Sequence, residues 1–160
     1  VKRTDPFSGR ARIRSCALVV REKKLLLVKQ NAPTRPEPIW LPPGGEVLFS
    51  ESLEKAALRE VEEETGMQIS VSHLAAVHEF IEQPYHAVEF YFAASVTGGN
   101  LITGSDPELN DDEQQIMECA FLPLDELKKL PVYPDFLSEE SFPMMVNKPQ
   151  KGTNFFRTGK

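Results

Sequence analysis

Apolar and polar positions change rhythm several times along the chain, and each change predicts an element. Ile13 to Val20 and Leu25 to Gln30 are apolar, β-branched-rich runs flanking the charged Arg21-Glu22-Lys23-Lys24, a hairpin pattern. Residues 31–38 hold three prolines and read as a loop, which Trp40-Leu41-Pro42-Pro43-Gly44-Gly45 continues as irregular chain opening on a short extended piece. From Ser52 to Thr65 helix formers dominate, with Leu53, Ala56, Ala57 and Val61 on one face. Ser50 or Ser52 caps the start of that helix, and Gly66 stands just past its end. Val71 to Ile81 and His86 to Val96 predict two strands around Glu82-Gln83-Pro84-Tyr85, the second apolar enough to be an inner strand. Glu118 to Leu122 predicts another strand, and Asp125 a cap for a short helix that Pro131 stops after Leu130. Strands in hairpins plus two helices predict an α/β layered domain over residues 1–137. Residues 138–160, mixed in character and carrying Lys148, Lys151, Arg157 and Lys160, read as a peripheral tail.

Composition bounds this picture without changing it. The 160 residues, 41% hydrophobic and 26% charged, suit a globular chain with a core that needs no disulfide or metal to hold it. No apolar run reaches the roughly 20 residues that span a bilayer, and no signal core follows the first residues, so a cytoplasmic protein away from membranes is expected. Cys16 and Cys119 lie far apart in apolar runs and read as small hydrophobes in a reducing compartment. His73, His78 and His86 lack the spacing of a zinc site.

Charge does change it. The net charge of −6 argues against DNA, which needs a basic footprint, and at first sight against any phosphorylated ligand. Yet between Gly45 and Met67 seven glutamates face only Lys55 and Arg59, so nearly all of the excess is local. Glu60, Glu63 and Glu64 are spaced i, i+3 and i+4, which puts them on one helical face, where like charges cost about 0.2–0.5 kcal/mol per pair. They also fall near the carboxyl end of the helix, where the dipole disfavours negative charge. Arg59 can pair with Glu63 but cannot neutralise all three. Most charge runs are solvated helix faces, and this one alone would be read so. If a cation binds, clustered carboxylate oxygens suit Mg²⁺, Mn²⁺ or Ca²⁺.

The surrounding spacing decides between the two. Gly45, five residues, Glu51, seven residues, then Arg59-Glu60-Val61-x-Glu63-Glu64-x-Gly66-Met67 resembles the signature of the Nudix hydrolases at every fixed position. Seven specified residues at ~7% each give roughly 10⁻⁸ per start position by chance. Trp40-x-x-Pro43-Gly44-Gly45 resembles the family's lead-in, and Glu118 to Leu127 its last strand and helix; Ser50 stands where many members have glycine.

The resemblance implies an α/β/α sandwich with a mixed sheet. It also implies hydrolysis of a nucleoside diphosphate linked to another group, with Mg²⁺ or Mn²⁺. Glu60, Glu63 and Glu64 would hold the metal, Arg59 would orient a glutamate, and the glycines would shape a loop against the helix. Glu60 is also a candidate to activate the attacking water. Members often add a downstream acid. Asp106, Glu108, Asp111, Asp112 and Glu113 offer one, and Glu113, five residues before Glu118, fits best. Arg10, Arg12 and Arg14 alternate, so on a strand they share a face; Arg12 or Arg14 contacting substrate phosphate stands beside an exposed edge as the alternative. Tyr85, Phe80 or Trp40 could stack on a base, though aromatics at strand positions are more often core.

The order of features, including Val88-Glu89-Phe90-Tyr91-Phe92 before a Gly-rich turn, is similar to that of bacterial ADP-ribose pyrophosphatases of the family. A small nucleotide is therefore the expected partner. Hydrolysis of nucleoside triphosphates or RNA 5′ ends is the alternative. A non-catalytic ligand sensor is disfavoured by the intact box and the lack of room for a helix-turn-helix module. Many relatives pair as homodimers, and no segment here demands it.

Overall fold

A computed structural model describes residues 5–102 and 116–159. The predicted first hairpin is present: β1 (Ala11–Arg21) turns through Glu22 and Lys23, both at positive φ, into β2 (Lys24–Gln30). Two three-residue strands follow, β3 (Ile39–Leu41) and β4 (Gly44–Glu46), where mostly irregular chain is expected. The helix α1 (Leu53–Thr65) begins at Ser52, whose side chain accepts from the Lys55 N–H, and ends at Gly66, left-handed at φ 74. Ser50 is also left-handed, at φ 66, which gives the glycine common at this position a conformational reason.

The two central strands run longer than their apolar cores predict, as β5 (Met67–Glu82) and β6 (Tyr85–Gly99). Next come β7 (Ile116–Pro123) and a 3-10 segment over Leu124–Lys129. The expected Asp125 cap is not made: Pro123 occupies the cap position, with no side-chain cap bond. Six residues between a strand and Pro131 leave room only for the tighter helix.

Strands β1 to β7 join in one mixed sheet ordered β3-β2-β1-β6-β5, with β4 added to β1 and β7 to β2, and a last strand extends it beyond β5. β1 runs parallel to β6 and so is an inner strand, while β5 and β6 form an antiparallel hairpin. Alternation along β1 sends Ala17 and Val19 to one face, where they pack with Val61 of α1, and Cys16 and Leu18 to the other. That second face is covered by the 3-10 segments at 124–129 and 135–138 and by α2 (Phe142–Asn147). The α/β/α sandwich is as expected. Among the described residues no helix is long and apolar enough to cross a membrane.

The carboxyl-terminal segment corrects the sequence reading. Residues 138–159 are not peripheral: Phe142 and Met145 are buried in the core beside Phe136, and β8 (Phe155–Gly159) lies parallel to β5 at the sheet edge. Its apolar residues fall in two short groups, Phe142 to Val146 and Phe155-Phe156, among polar chain, so only the surface they cover reveals their role. Met145→Ala is expected to cost about 2–3 kcal/mol, lowering the melting temperature by roughly 4–12 °C. A peripheral tail would leave the thermal melt unchanged.

Candidate functional site

The buried face of α1 carries more than Ala56, Ala57 and Val61. Glu60 and Glu64 are on it too, 4% and 5% exposed, while Glu63 stands at its margin at 28%. The three carboxylates therefore do not share one solvated face. Two are sunk against the sheet.

Such burial needs partners, and the loop and β4 supply them. The Arg59 guanidinium donates to both oxygens of Glu51 (Nε to Oε1 2.8 Å, Nη2 to Oε2 3.0 Å). Its Nη1 reaches Glu60 Oε1 at 2.8 Å and Glu63 Oε2 at 3.2 Å, and Nη2 reaches the Glu46 carbonyl at 3.2 Å. Glu51 in turn accepts the Leu48 N–H at 3.0 Å, which ties the loop before α1 to the same guanidinium. The hydrogen bond from Arg59 holds the Glu51 carboxyl below its usual range. Glu51, and then Glu60, push Arg59 further into its charged range. Arg59 thus bridges Glu60 and Glu63, and Glu51 anchors Arg59.

The glycines allow the close approach. Gly44 N–H donates to Glu64 Oε2 at 3.2 Å. A Cβ on Gly45 would stand 2.4 Å from Glu60 Oε1, and one on Gly44 would meet Ser15 O at 2.6 Å and Cys16 Sγ at 2.5 Å. Cys16 is a buried, free thiol whose pKa burial pushes up to about 12, so it is inert, as its apolar run predicts.

Gly44, Gly45, Glu60 and Glu64 form one end of a cleft of about 1180 Å³, open mouth included. Arg12 and Arg14 reach into it from β1, at 16% and 13% exposure, whereas Arg10, at 47%, is outside it and pairs with Glu46. The exposed-edge reading is thus wrong for Arg12 and Arg14, because β4 and β6 flank this half of β1. Arg12 lies over the Phe7 ring at 4.3 Å. Its Nε donates to Glu46 Oε2 at 3.1 Å, while burial, and then the neighbouring Arg14 charge, lower its pKa. Phe80, Tyr85 and Tyr133 line the same cleft, with Phe80 edge-on to Tyr133. Trp40 is in the core instead. Glu113 and the other acids of 106–113 lie outside the described residues.

Sequence reading missed a charged group beneath the cleft. Glu89 is buried on β6 between inward-facing Ala87 and Tyr91. Its Oε1 accepts Arg14 Nη1 at 2.5 Å; Oε2 accepts His78 Nδ1 at 2.9 Å and the hydroxyls of Tyr91 and Tyr133 at 3.1 Å each. An acid at an inward position of an apolar strand was the available signal. Burial opposes its charge, but the His78 hydrogen bond and the Arg14 charge outweigh that and hold the carboxyl at about 2. Burial, and then Glu89 itself, push Tyr133 far above its ordinary value, so its phenol stays a donor.

Folding therefore lowers the pKa of Glu89 from an unfolded value near ~4.4. Its contribution is whole above about pH 4.5 and is lost as pH falls towards 2, about 2–3 kcal/mol in all. Denaturant midpoints taken from pH 5 to pH 2.5 should fall, and fall less steeply in Glu89→Gln. Equal slopes would refute the assignment.

Comparison with known proteins places this arrangement. The NUDIX domain family model matches residues 10–139. An ADP-ribose pyrophosphatase of Methanocaldococcus jannaschii is 31% identical over 116 residues, 71% of this chain and 62% of that protein. An m7GpppN-mRNA hydrolase of Danio rerio is 31% identical over 120 residues, 66% of this chain and 39% of that protein. The chain thus spans less than two thirds of either relative. Among solved structures, a NUDIX hydrolase from Nitrosomonas europaea superposes with a TM-score of 0.69 at 19% identity, over 86% of this chain and 89% of that one.

Proposed function

The chain belongs to the NUDIX domain family, and on that premise we propose that it hydrolyses the pyrophosphate bond of a nucleoside diphosphate linked to another group, with ADP-ribose or a related nucleotide sugar as substrate. The observation that carries this is one cleft with two buried carboxylates, Glu60 and Glu64, at one end and two guanidiniums, Arg12 and Arg14, beside them. Carboxylates alone would repel a pyrophosphate. Guanidiniums alone would bind it without preparing it for attack.

The donor chemistry fits a hard divalent cation, because every candidate ligand is a carboxylate oxygen. Among the described residues no three acidic, His or Cys side chains converge tightly enough to cage an ion by themselves. Mg²⁺ keeps waters and takes further oxygens from substrate phosphates, so it needs only one or two carboxylates from the protein. Glu60, Glu63 and Glu64 would hold it. When bound, the ion neutralises phosphate charge and lowers the pKa of a water.

The chain's own residues do the rest. Arg12 and Arg14 orient the pyrophosphate, Arg59 keeps Glu60 and Glu63 aimed, and the Gly44 N–H keeps Glu64 aimed. Glu60, which lines the cleft, takes a proton from the attacking water in this reading, with Glu113 as a second candidate. Tyr85, whose hydroxyl donates to Asp5, and Phe80 offer faces for a base. A small nucleotide is the partner; nothing here calls for DNA, a membrane or a second copy.

The test is a product-release screen over nucleotide sugars, dinucleotides, nucleoside triphosphates and 5′-triphosphate RNA, with Mg²⁺ and Mn²⁺ compared. ADP-ribose should give AMP and ribose 5-phosphate, with kcat/KM at least about tenfold above the triphosphates. The match to an mRNA hydrolase favours RNA 5′ ends as the second reading, and RNA ranking first would establish it. Tight binding with no turnover of any substrate would mark a sensor. Arg12→Ala should raise KM; an unchanged KM for every substrate ends its role at phosphate.

A further inference from the structure

The Arg14 guanidinium in the cleft is not held by the helix that carries the box. Arg14 makes one bond to that side, Nη2 to the Gly44 carbonyl at 3.3 Å, and its short bond is to Glu89. We propose that Glu89 is the positioning residue that sets Arg14 and Tyr133 in the cleft, and that the carboxyl-terminal strand β8 holds Glu89 in place through His78. This rests on the reading that the cleft binds a pyrophosphate.

The geometry excludes the alternatives for Glu89. It lies at the cleft floor but is 2% exposed, and Arg14, His78, Tyr91 and Tyr133 occupy both of its oxygens. Three donors crowd Oε2 and the Arg14 guanidinium covers Oε1 in a buried position, so Glu89 acts through its donors. Two of those donors, Arg14 and Tyr133, themselves line the cleft. A bidentate or near-bidentate guanidinium must be fixed in plane to match phosphate, and Glu89 fixes one edge of it.

Behind Glu89 the network continues to the chain end. His78 is directly opposite Glu89 in the β5–β6 register, and it is buried. On its other side His78 Nε2 lies 2.9 Å from the Thr158 hydroxyl of β8, so one ring bridges Glu89 and the chain end. β8 lies parallel along β5 with Phe156 in register with His78, and the Phe156 ring stacks on Phe136 at 4.7 Å. Tyr133 enters from a different direction, its ring edge-on to His78 at 5.5 Å. Segments distant in sequence thus converge on one carboxylate: β1 through Arg14, β5 through His78, the chain before the second 3-10 turn through Tyr133, and β8 at one remove. The family model ends at residue 139, so β8 lies beyond the part of the chain it matches.

The test is a binding cycle on the full chain, with inorganic pyrophosphate and Mg²⁺ as the probe, read by calorimetry beside a thermal melt. Glu89→Gln should weaken pyrophosphate about tenfold and Arg14→Gln at least as much. The double variant should lose clearly less than the product of the two single losses, because Glu89 acts in large part through that arginine. For a cleaved substrate, Glu89→Gln should raise KM about tenfold while kcat moves less than about threefold. Thr158→Val, far from the cleft, should weaken pyrophosphate two- to threefold. Losses that multiply in the double variant, or wild-type binding by folded Glu89→Gln, overturn the proposal. If Glu89→Gln does not fold, Tyr133→Phe and Thr158→Val decide it, and wild-type binding by both overturns it. A wild-type chain that binds pyrophosphate but cleaves no nucleotide sugar sinks the substrate reading alone, while the cycle still judges Glu89. No pyrophosphate binding by wild type sinks both.

Discussion

Glu64→Gln should lower Mg²⁺-dependent hydrolysis at least about a thousandfold while leaving the chain folded. Glutamine keeps the side chain's size and can still accept the Gly44 N–H that now reaches Glu64 Oε2 at 3.2 Å. What it loses is the negative charge, the property a divalent cation requires of an oxygen ligand. A transition-state stabilisation of about 4 kcal/mol corresponds to about three decades in rate, the scale on which metal chemistry operates. Stability should move the other way or not at all. Glu60 and Glu64 are like charges at i, i+4 and are buried together, so neutralising one removes a repulsion. A melting temperature equal to or above wild type, with activity gone, is the signature of a group kept for function at a cost in stability. Glu63→Gln should lose less, since Glu63 is half-buried and shares Arg59 with two other carboxylates. A folded Glu64→Gln that turns over at the wild-type rate removes Glu64 from the site.

The adjacent glycines should separate stability from activity. In Gly44→Ala the new methyl meets backbone, at 2.6 Å from Ser15 O and 2.7 Å from Cys16 Cα, and neither can rotate away. β4 would have to leave β1, at about 3 kcal/mol or more and a fall in melting temperature of roughly 6–12 °C. In Gly45→Ala the nearest atoms belong instead to the Glu60 carboxylate, at 2.4–2.7 Å. A side-chain end can swing aside, so the fold should lose little, but Glu60 would leave the position in which Arg59 holds it. Activity should fall about a hundredfold, because catalysis tolerates misplacement of about an ångström poorly. Paired melts and rates check both. A stable, active Gly44→Ala would mean β4 does not lie on β1 as found, and an active Gly45→Ala would free Glu60 from any role.

The first hairpin, α1 with its Ser52 cap and Gly66 stop, and the β5–β6 pair were legible because each depends on local periodicity and turn chemistry. The box was legible because its residues are close in sequence and meet through one helix and the loop before it. Arg12 and Arg14 were legible as a shared face, but whether that face met solvent or a cleft was not, since β4 and β6 come from elsewhere in the chain. The carboxyl-terminal residues were misread for the same reason: Phe142, Met145 and Val146 make one short apolar turn and Phe156 stands apart, and what they cover decides that they are core.

By itself the sequence determined the α/β class of fold, from the run of strands and helices along the chain, and the helix with its acidic box. The box follows from spacing within some twenty residues. Only the tertiary structure decided which carboxylates are buried, which arginines enter the cleft, and that Glu89 is held by Arg14, His78 and Tyr133. Desolvation and hydrogen bonding act through space, and those four groups span residues 14 to 133. A charge cluster that looks like a solvated surface in sequence becomes a site only where another segment of the chain removes water from around it.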